Sequence, residues 1–363
     1  MVSDPFIFQI APIITNGHLG YDLLGTNYSR SDVSGRIDKS RIIIFTNRYV
    51  FQMGRSRVKW GESKFNSLIQ SGDSPGYENI SLKMKVFNST FIEVLHGQLN
   101  SNHLANGERV KRFLGAHRIE LNLKRNLRLA FGEQILYTGI DRGIELLYLN
   151  PFVPYFFSAL EGEEVTNPSD NDNSIMFANF RYFSKKFHSF YGEIIIDDYQ
   201  VDNTGIDNAL GYLIGYDYYR NFANKKLKMQ IEFARVDPWT YIHHGQFTSW
   251  ENRGHSIGFP LGPNSELLQI FFDYQNNKKL GANIKVSHLS YGLNNLRTTW
   301  KNFSEFNNVK NNTVFVEWSV YKYFEYGIYE IGWFKIPYLN KFSIRRQPLD
   351  EGGLFVRTIL NFN

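Results

Sequence analysis

The 363-residue chain carries 40 Lys and Arg against 35 Asp and Glu, a formal net charge of +5, and no cysteine. The missing thiols exclude disulfides, thiolate metal sites and a cysteine nucleophile. The basic residues are scattered rather than clustered, so the charge reads as a solvated surface and no nucleic-acid partner is expected.

Strand patterns begin at once. Residues 6–14, 17–24, 35–45 and 48–58 read as strands, the last two joined near Thr46 and Asn47. A long Gly-, Ser- and Pro-containing loop covers 61–78. Ile80, Leu82, Met84 and Val86 then alternate with Ser81, Lys83 and Lys85, and Asn88-Ser89 turns the chain into 90–99. Such period-two alternation gives one apolar and one polar face. Between 113 and 132, Leu114, Ala116, Arg118, Glu120 and Asn122 share one face, and Ile119, Leu121 and Leu123 the other. Lys124-Arg125-Asn126 makes the turn, after which Leu127, Leu129 and Phe131 oppose Arg128, Ala130 and Gly132. The aromatic, Pro-interrupted segment 148–155 is too broken for a helix or a central strand. Alternation returns at 226–235, 313–321 and 354–362, where Phe362 gives a near-terminal aromatic.

Short polar turns recur at 88–89, 124–126, 184–186, 224–225 and 276–278, and longer loops at 100–108, 134–173 and 200–209. Short turns on one side and long loops on the other are the habit of a transmembrane barrel. If the short turns are periplasmic, strand parity requires a further strand at 296–304. No run of about 18 apolar residues occurs, which excludes a transmembrane helix. Mean hydropathy is −0.35, as in a soluble protein, but half of every barrel strand faces a polar lumen. Aromatics reach 16%, a content that interfacial girdles would use. On composition alone a soluble β-sandwich or propeller competes evenly. The lack of a 20–50-residue repeat argues against the propeller, and closure of many two-faced strands, with no helix to cover them, favours a barrel. The expectation is a single all-β domain over 1–363, an antiparallel transmembrane β-barrel of roughly sixteen to twenty strands, about eighteen, with long extracellular loops.

Several short words run through the chain in order: Gly54-Arg55, Trp60-Gly61, Ala116-His117-Arg118, Gly132-Glu133, Tyr148 to Pro151, Asp197-Asp198, and Leu261-Gly262-Pro263-Asn264. In this series the chain resembles the capsule assembly Wzi family of outer-membrane β-barrels. The resemblance implies a bacterial outer-membrane surface lectin that helps attach or assemble capsular or exopolysaccharide, with outer-membrane lipid and lipopolysaccharide around it, and not an enzyme. Family members carry a signal and a small helical bundle ahead of the barrel. Neither is legible here, so the resemblance implies that sequence precedes Met1. It brings no catalytic residue and no cofactor.

The residues themselves offer few chemical sites. Arg118, Glu120, Arg128 and Glu133 are candidate lumen or polymer-contacting residues, with mutual pairing of inward charges as the plainer reading. Asp197 and Asp198 point to opposite strand faces unless a bulge intervenes, so they are candidates for a loop-mouth sugar contact and not for a catalytic pair. Trp239 and Trp250, with Trp60 and Trp300, could stack on sugar rings or form interface girdles. His288 and Ser290, two apart on one strand face, could form an outer-membrane esterase or phospholipase site. His96, His103, His117, His243 and His244 show no metal spacing. Two alternatives to the lectin therefore stay open: a general porin or sugar channel, and the His288–Ser290 hydrolase. A monomer is expected.

Overall fold

Among the described residues the chain forms twenty strands. The computed structural model describes residues 6–16, 28–30, 33–156, 172–184, 187–198, 208–222, 225–243, 247–276, 279–298, 310–324, 327–335 and 352–360. The first strands are β1 (Phe6–Asn16), β2 (Tyr28–Arg30), β3 (Val33–Phe45), β4 (Tyr49–Ser56) and β5 (Tyr77–Phe87). Next come β6 (Thr90–Gln98), β7 (Asn102–His103), β8 (Arg109–Leu123), β9 (Leu127–Gly139) and β10 (Asn173–Phe183). Then follow β11 (His188–Asp198), β12 (Ala209–Phe222), β13 (Lys225–Val236), β14 (Glu251–Asn252) and β15 (His255–Ser256). The last are β16 (Ser265–Gln275), β17 (Leu280–Tyr291), β18 (Asn311–Phe324), β19 (Gly327–Lys335) and β20 (Gly352–Leu360).

Strands β2, β7, β14 and β15 are fragments of two or three residues. The other sixteen form one antiparallel ladder in chain order, from the β1–β3 pair to the β19–β20 pair. Sixteen lies at the lower end of the range expected from sequence. Seven connections are two to four residues long, and the other eight run from ten residues (99–108) to thirty-three (140–172). They alternate, so all short turns share one end of the sheet. Parity closes because β17 pairs directly with β18; of the strand expected at 296–304, Leu296 and Arg297 lie in a turn and 299–304 lie outside the described residues. Residues 17–24, also expected as a strand, lie outside the described residues, as do Trp300, His244 and Phe362. Among the described residues no helix is long and apolar enough to cross a membrane.

The sheet wraps around its own loop. Residues of the 57–76 connection touch Asp38 on β3, Arg128 on β9, Arg181 on β10, Glu193 on β11, Glu232 on β13 and Phe271 on β16. One twenty-residue loop reaches all of those strands on the same face only if the sheet is curled into a barrel. The opposite face carries Ile119, Phe131, Ile214, Ile270 and Val314, all exposed. Exposed branched and aromatic side chains on every second residue are stable against lipid and not against water.

Strand β4 comes closest to its neighbour at Gly54. The residue has φ +122°, and a Cβ there would sit 2.2 Å from the Ser40 carbonyl oxygen and 2.9 Å from Arg41 Cα, both backbone atoms. No L side chain fits without separating β3 from β4. Gly54→Ala is expected to lower stability by about 2 kcal/mol, read as an earlier urea midpoint for the detergent-folded protein.

Candidate functional site

The lumen is filled from the long-loop end, and a single carboxylate organises the filling. Glu193 points inward from β11 and is almost wholly buried. Its Oε1 accepts the backbone N–H groups of Glu62 at 2.6 Å and Ser63 at 2.8 Å. Its Oε2 accepts the Leu68 N–H at 2.8 Å and the Ser67 hydroxyl at 2.9 Å. The 57–76 loop thus folds around one side chain contributed from about 130 residues further along the chain. Gly61 permits this, with φ +105° and no room for a Cβ beside the Glu193 carboxylate. Asn66 Nδ2 donates to Glu232 at 2.6 Å, and the Phe65 ring meets Phe271 edge-on at 5.3 Å.

A second loop, 237–264, packs on top. The Tyr241 hydroxyl donates to the Leu68 carbonyl at 2.5 Å, and the Ser71 N–H donates to the Ile257 carbonyl at 2.9 Å. Trp60, Leu68, Ile69, Tyr241, Trp250 and Phe259 join a buried apolar cluster with inward residues of the wall. Two long connections therefore occupy the lumen with a core of their own.

The lumen charges are paired. Arg118 donates to Glu93 at 2.6 Å and 2.9 Å, and its guanidinium lies 4.6 Å from the centre of the Trp60 ring. Glu120 accepts from Lys83 at 2.8 Å. Arg128 stands 3.6 Å from Glu62, which Arg181 also grips at 2.7 Å. These pairs tie wall to loop and strand to strand.

Other candidates sit elsewhere than expected. Glu133 lies inside β9, which continues to Gly139, and it faces the outer wall instead of the lumen. Its carboxylate accepts the Tyr155 N–H at 2.5 Å. A bulge does intervene at Asp197, between Ile196 and Asp198 in the β11–β12 register. Asp197 keeps the inward parity of Glu193 and Ile195 and accepts the Tyr241 N–H at 2.5 Å, which makes it an anchor for the second loop. Asp198 opposes Ala209 at the end of the ladder. Trp60, Trp239 and Trp250 are 2%, 1% and 0% exposed, so they offer no face to a sugar ring or to lipid. They pack the loops because an indole buried among Leu and Ile gains more than one left at a wet rim. His288 and Ser290 share the outer wall, but the Ser290 hydroxyl donates to Asn312 at 2.6 Å and not to His288. No group of three potential ligands that could hold a metal occurs among the described residues.

Sequence reasoning missed the rim. At the long-loop end a cavity of about 580 Å³ is lined by Arg55, Arg109, Arg253, Asn100, Ser101 and Glu78, among others. Arg55 pairs with Glu78 at 2.6 Å, and Arg109 Nε donates to Ser101 Oγ at 2.8 Å. The Arg253 N–H donates to Asn100 Oδ1 at 2.8 Å, while Asn252 Nδ2 donates to the Pro75 carbonyl at 2.8 Å. Partial burial and the neighbouring Arg55 charge hold the Arg253 guanidinium below its ordinary pKa. Three guanidiniums and one carboxylate line the cavity, together with amide and hydroxyl groups. A carboxylated or phosphorylated sugar would meet both its charge and its hydroxyl groups here. The three arginines are far apart in the chain, and only Arg55 fell within a recognisable word.

A sixteen-stranded antiparallel barrel with an apolar outer belt and a loop-filled lumen defines a bacterial outer-membrane protein. The family described as capsule assembly protein Wzi matches residues 30–329, and the chain belongs to that family. No curated protein sequence matches it. Among solved structures, it is similar to one described as Wzi, an outer membrane protein involved in group 1 capsule assembly in Escherichia coli and a carbohydrate-binding β-barrel. That likeness has a TM-score of 0.61 at 11% identity, over 83% of this chain and 66% of that one. The chain thus spans just under two thirds of the length of that protein. OccAB4 of Acinetobacter baumannii follows, with a TM-score of 0.46 at 9% identity over 92% and 81% of the two chains. A Haemophilus ducreyi BamA lacking POTRA domains 1–3 gives 0.47 at 10% identity over 98% and 70%.

Proposed function

We propose that this barrel binds surface polysaccharide at its extracellular rim, assists attachment or assembly of capsule or exopolysaccharide, and catalyses no reaction. The rim cavity carries the reading: three arginines, one carboxylate and several amide and hydroxyl groups, open at the end where polymer arrives. An acidic polymer fits this lining better than a neutral one. Family membership and the carbohydrate binding of the Escherichia coli protein support the same assignment. The buried loop core argues against a general porin, and the Ser290–Asn312 bond argues against a hydrolase. In this reading it acts as a monomer of one domain.

Polymer binding and bilayer conductance measured on the same detergent-folded sample test this reading. Saturable binding of acidic polysaccharides without conductance is expected. Arg253→Ala should weaken that binding about tenfold, the cost of one charge-assisted contact. Raising salt from 50 to 500 mM should weaken wild-type binding, because an open rim is screened. Conductance without binding would make the protein a channel.

A further inference from the structure

The connection 140–172 is described from residue 140 to residue 156 and at residue 172. Its described part folds back over the outside of the barrel. The Tyr148 and Tyr155 rings are buried against Phe113, Ile135 and Tyr137, which point outward from β8 and β9. Tyr155 also lies over the outward-facing His117, ring centres 4.3 Å apart. Glu133, the direct cross-strand partner of His117, holds the Tyr155 and Phe156 N–H groups at 2.5 and 3.3 Å.

This happens at membrane depth. Glu133 stands six residues beyond Leu127, where β9 leaves its short turn. At about 3.4 Å per residue and a tilt near 45°, that is about 14 Å from the short-turn end, within an apolar band about 25 Å tall. Irregular backbone survives there only if its polar groups are satisfied internally. From Tyr148 to Phe156 every N–H is bonded or does not exist. Tyr148, Leu149, Asn150 and Val153 donate to the carbonyls of Glu145, Leu146, Leu147 and Asn150. Phe152 donates to Asn150 Oδ1 at 3.1 Å, and Tyr155 and Phe156 donate to Glu133. The remaining two residues are Pro151 and Pro154, which have no N–H. Residues 146–156 contain no charge. Leu146 and Phe152 are 81% and 79% exposed.

Between this segment and the wall lies a crevice of about 460 Å³, lined by Ile92, Ile119, Phe131, Met176, Phe152 and Pro154 among others. Its floor is continuous with the lipid-facing belt. Above it, on the same outward column of β8, stand Arg109 and Lys111. We propose that residues 146–156 are sunk in the outer leaflet and that the crevice holds one acyl chain of lipopolysaccharide. The phosphates of that lipid would lie beside Arg109 and Lys111. The proposal shares Arg109 with the rim cavity; the segment and the crevice themselves use no residue of that cavity.

Two measurements on the full chain test it. In vesicles of phosphatidylcholine brominated at mid-chain, the extra emission of Phe152→Trp over wild type should be quenched at least twofold, and aqueous iodide should leave it unchanged. Quenching by iodide and not by bromine would place the segment in water and overturn the proposal. In native mass spectrometry with added lipid A, wild type should retain one lipid per chain. Met176→Trp, which fills the crevice, should retain at least tenfold less while still migrating as a heat-modifiable barrel. Equal retention by both proteins would remove the crevice as the site. Displacement of lipid A by equimolar phosphatidylethanolamine would remove lipopolysaccharide as the occupant.

Discussion

Glu193→Ala is expected to open the barrel to ions and to lower its stability by about 4 kcal/mol. The wild-type carboxylate accepts three backbone N–H groups and one hydroxyl of the 57–76 loop, all at 2.6–2.9 Å. Alanine leaves those three N–H groups buried with no acceptor in place. An orphaned buried donor costs roughly 1–3 kcal/mol, and partial relaxation brings the sum to the figure given. The loop keeps other anchors, including Arg181 on Glu62 and Asn66 on Glu232, so the barrel should still fold. What it loses is the geometry of the tight turn at Gly61, which has no partner to wrap. Planar-bilayer recordings should show frequent openings in Glu193→Ala and few in wild type. Glu193→Gln keeps one acceptor oxygen and should fall between the two. A silent variant with an unchanged urea midpoint would mean that the apolar cluster around Trp60 and Leu68 holds the loop without help.

The strands were legible because lipid on one face and polar lumen on the other impose a strict period of two. In β5, Ile80, Leu82, Met84 and Val86 announce both the element and its orientation. The loops carry no such pattern. Nothing local in 57–76 says that it turns inward, since its organiser lies on β11. Glu193 itself reads as one more polar residue before an isoleucine run. The tryptophans were ambiguous for a related reason: an indole suits a sugar platform, an interface and a packed loop, and only burial separates them. Glu133 was misplaced because β9 was expected to end near Gly132, where the outward apolar series breaks. The break is real, and the Pro-rich segment compensates it by covering Glu133 and His117 from outside. The bulge after Ile196 shifts the register without leaving any mark in composition. The rim arginines converge from residues 55, 109 and 253, a separation that only a fold brings together.

Arg112→Ala should weaken polymer binding at the rim about a hundredfold although Arg112 does not line the cavity. The side chain is fully buried and points inward from β8. Its Nε and Nη2 donate to the carbonyls of Phe247 and Ser249, each at 2.8 Å, and Nη1 donates to Asn100 Oδ1 at 3.2 Å. One planar guanidinium thereby fastens the second plug loop and the 99–108 loop to the same strand. Asn100 in turn orients the Arg253 N–H, and Asn252 Oδ1 accepts the Asn100 N–H at 3.1 Å. Removing the hub leaves three acceptors without their donor and a cavity of side-chain size, a cost of about 3–5 kcal/mol. The β14–β15 hairpin carrying Arg253 then keeps Asn252 on the Pro75 carbonyl but loses the fastening of the segment that leads into it. Affinity for acidic polymer should fall more than in Arg253→Ala, by about a hundredfold, with the heat-modifiable barrel retained. Arg112→Lys is expected to rescue little, because a single ammonium cannot span three acceptors held in a fork. Affinity in Arg112→Ala equal to wild type, measured against the same polymer, would mean that the hairpin is positioned by Trp250 packing alone and that the rim cavity does not depend on this strand.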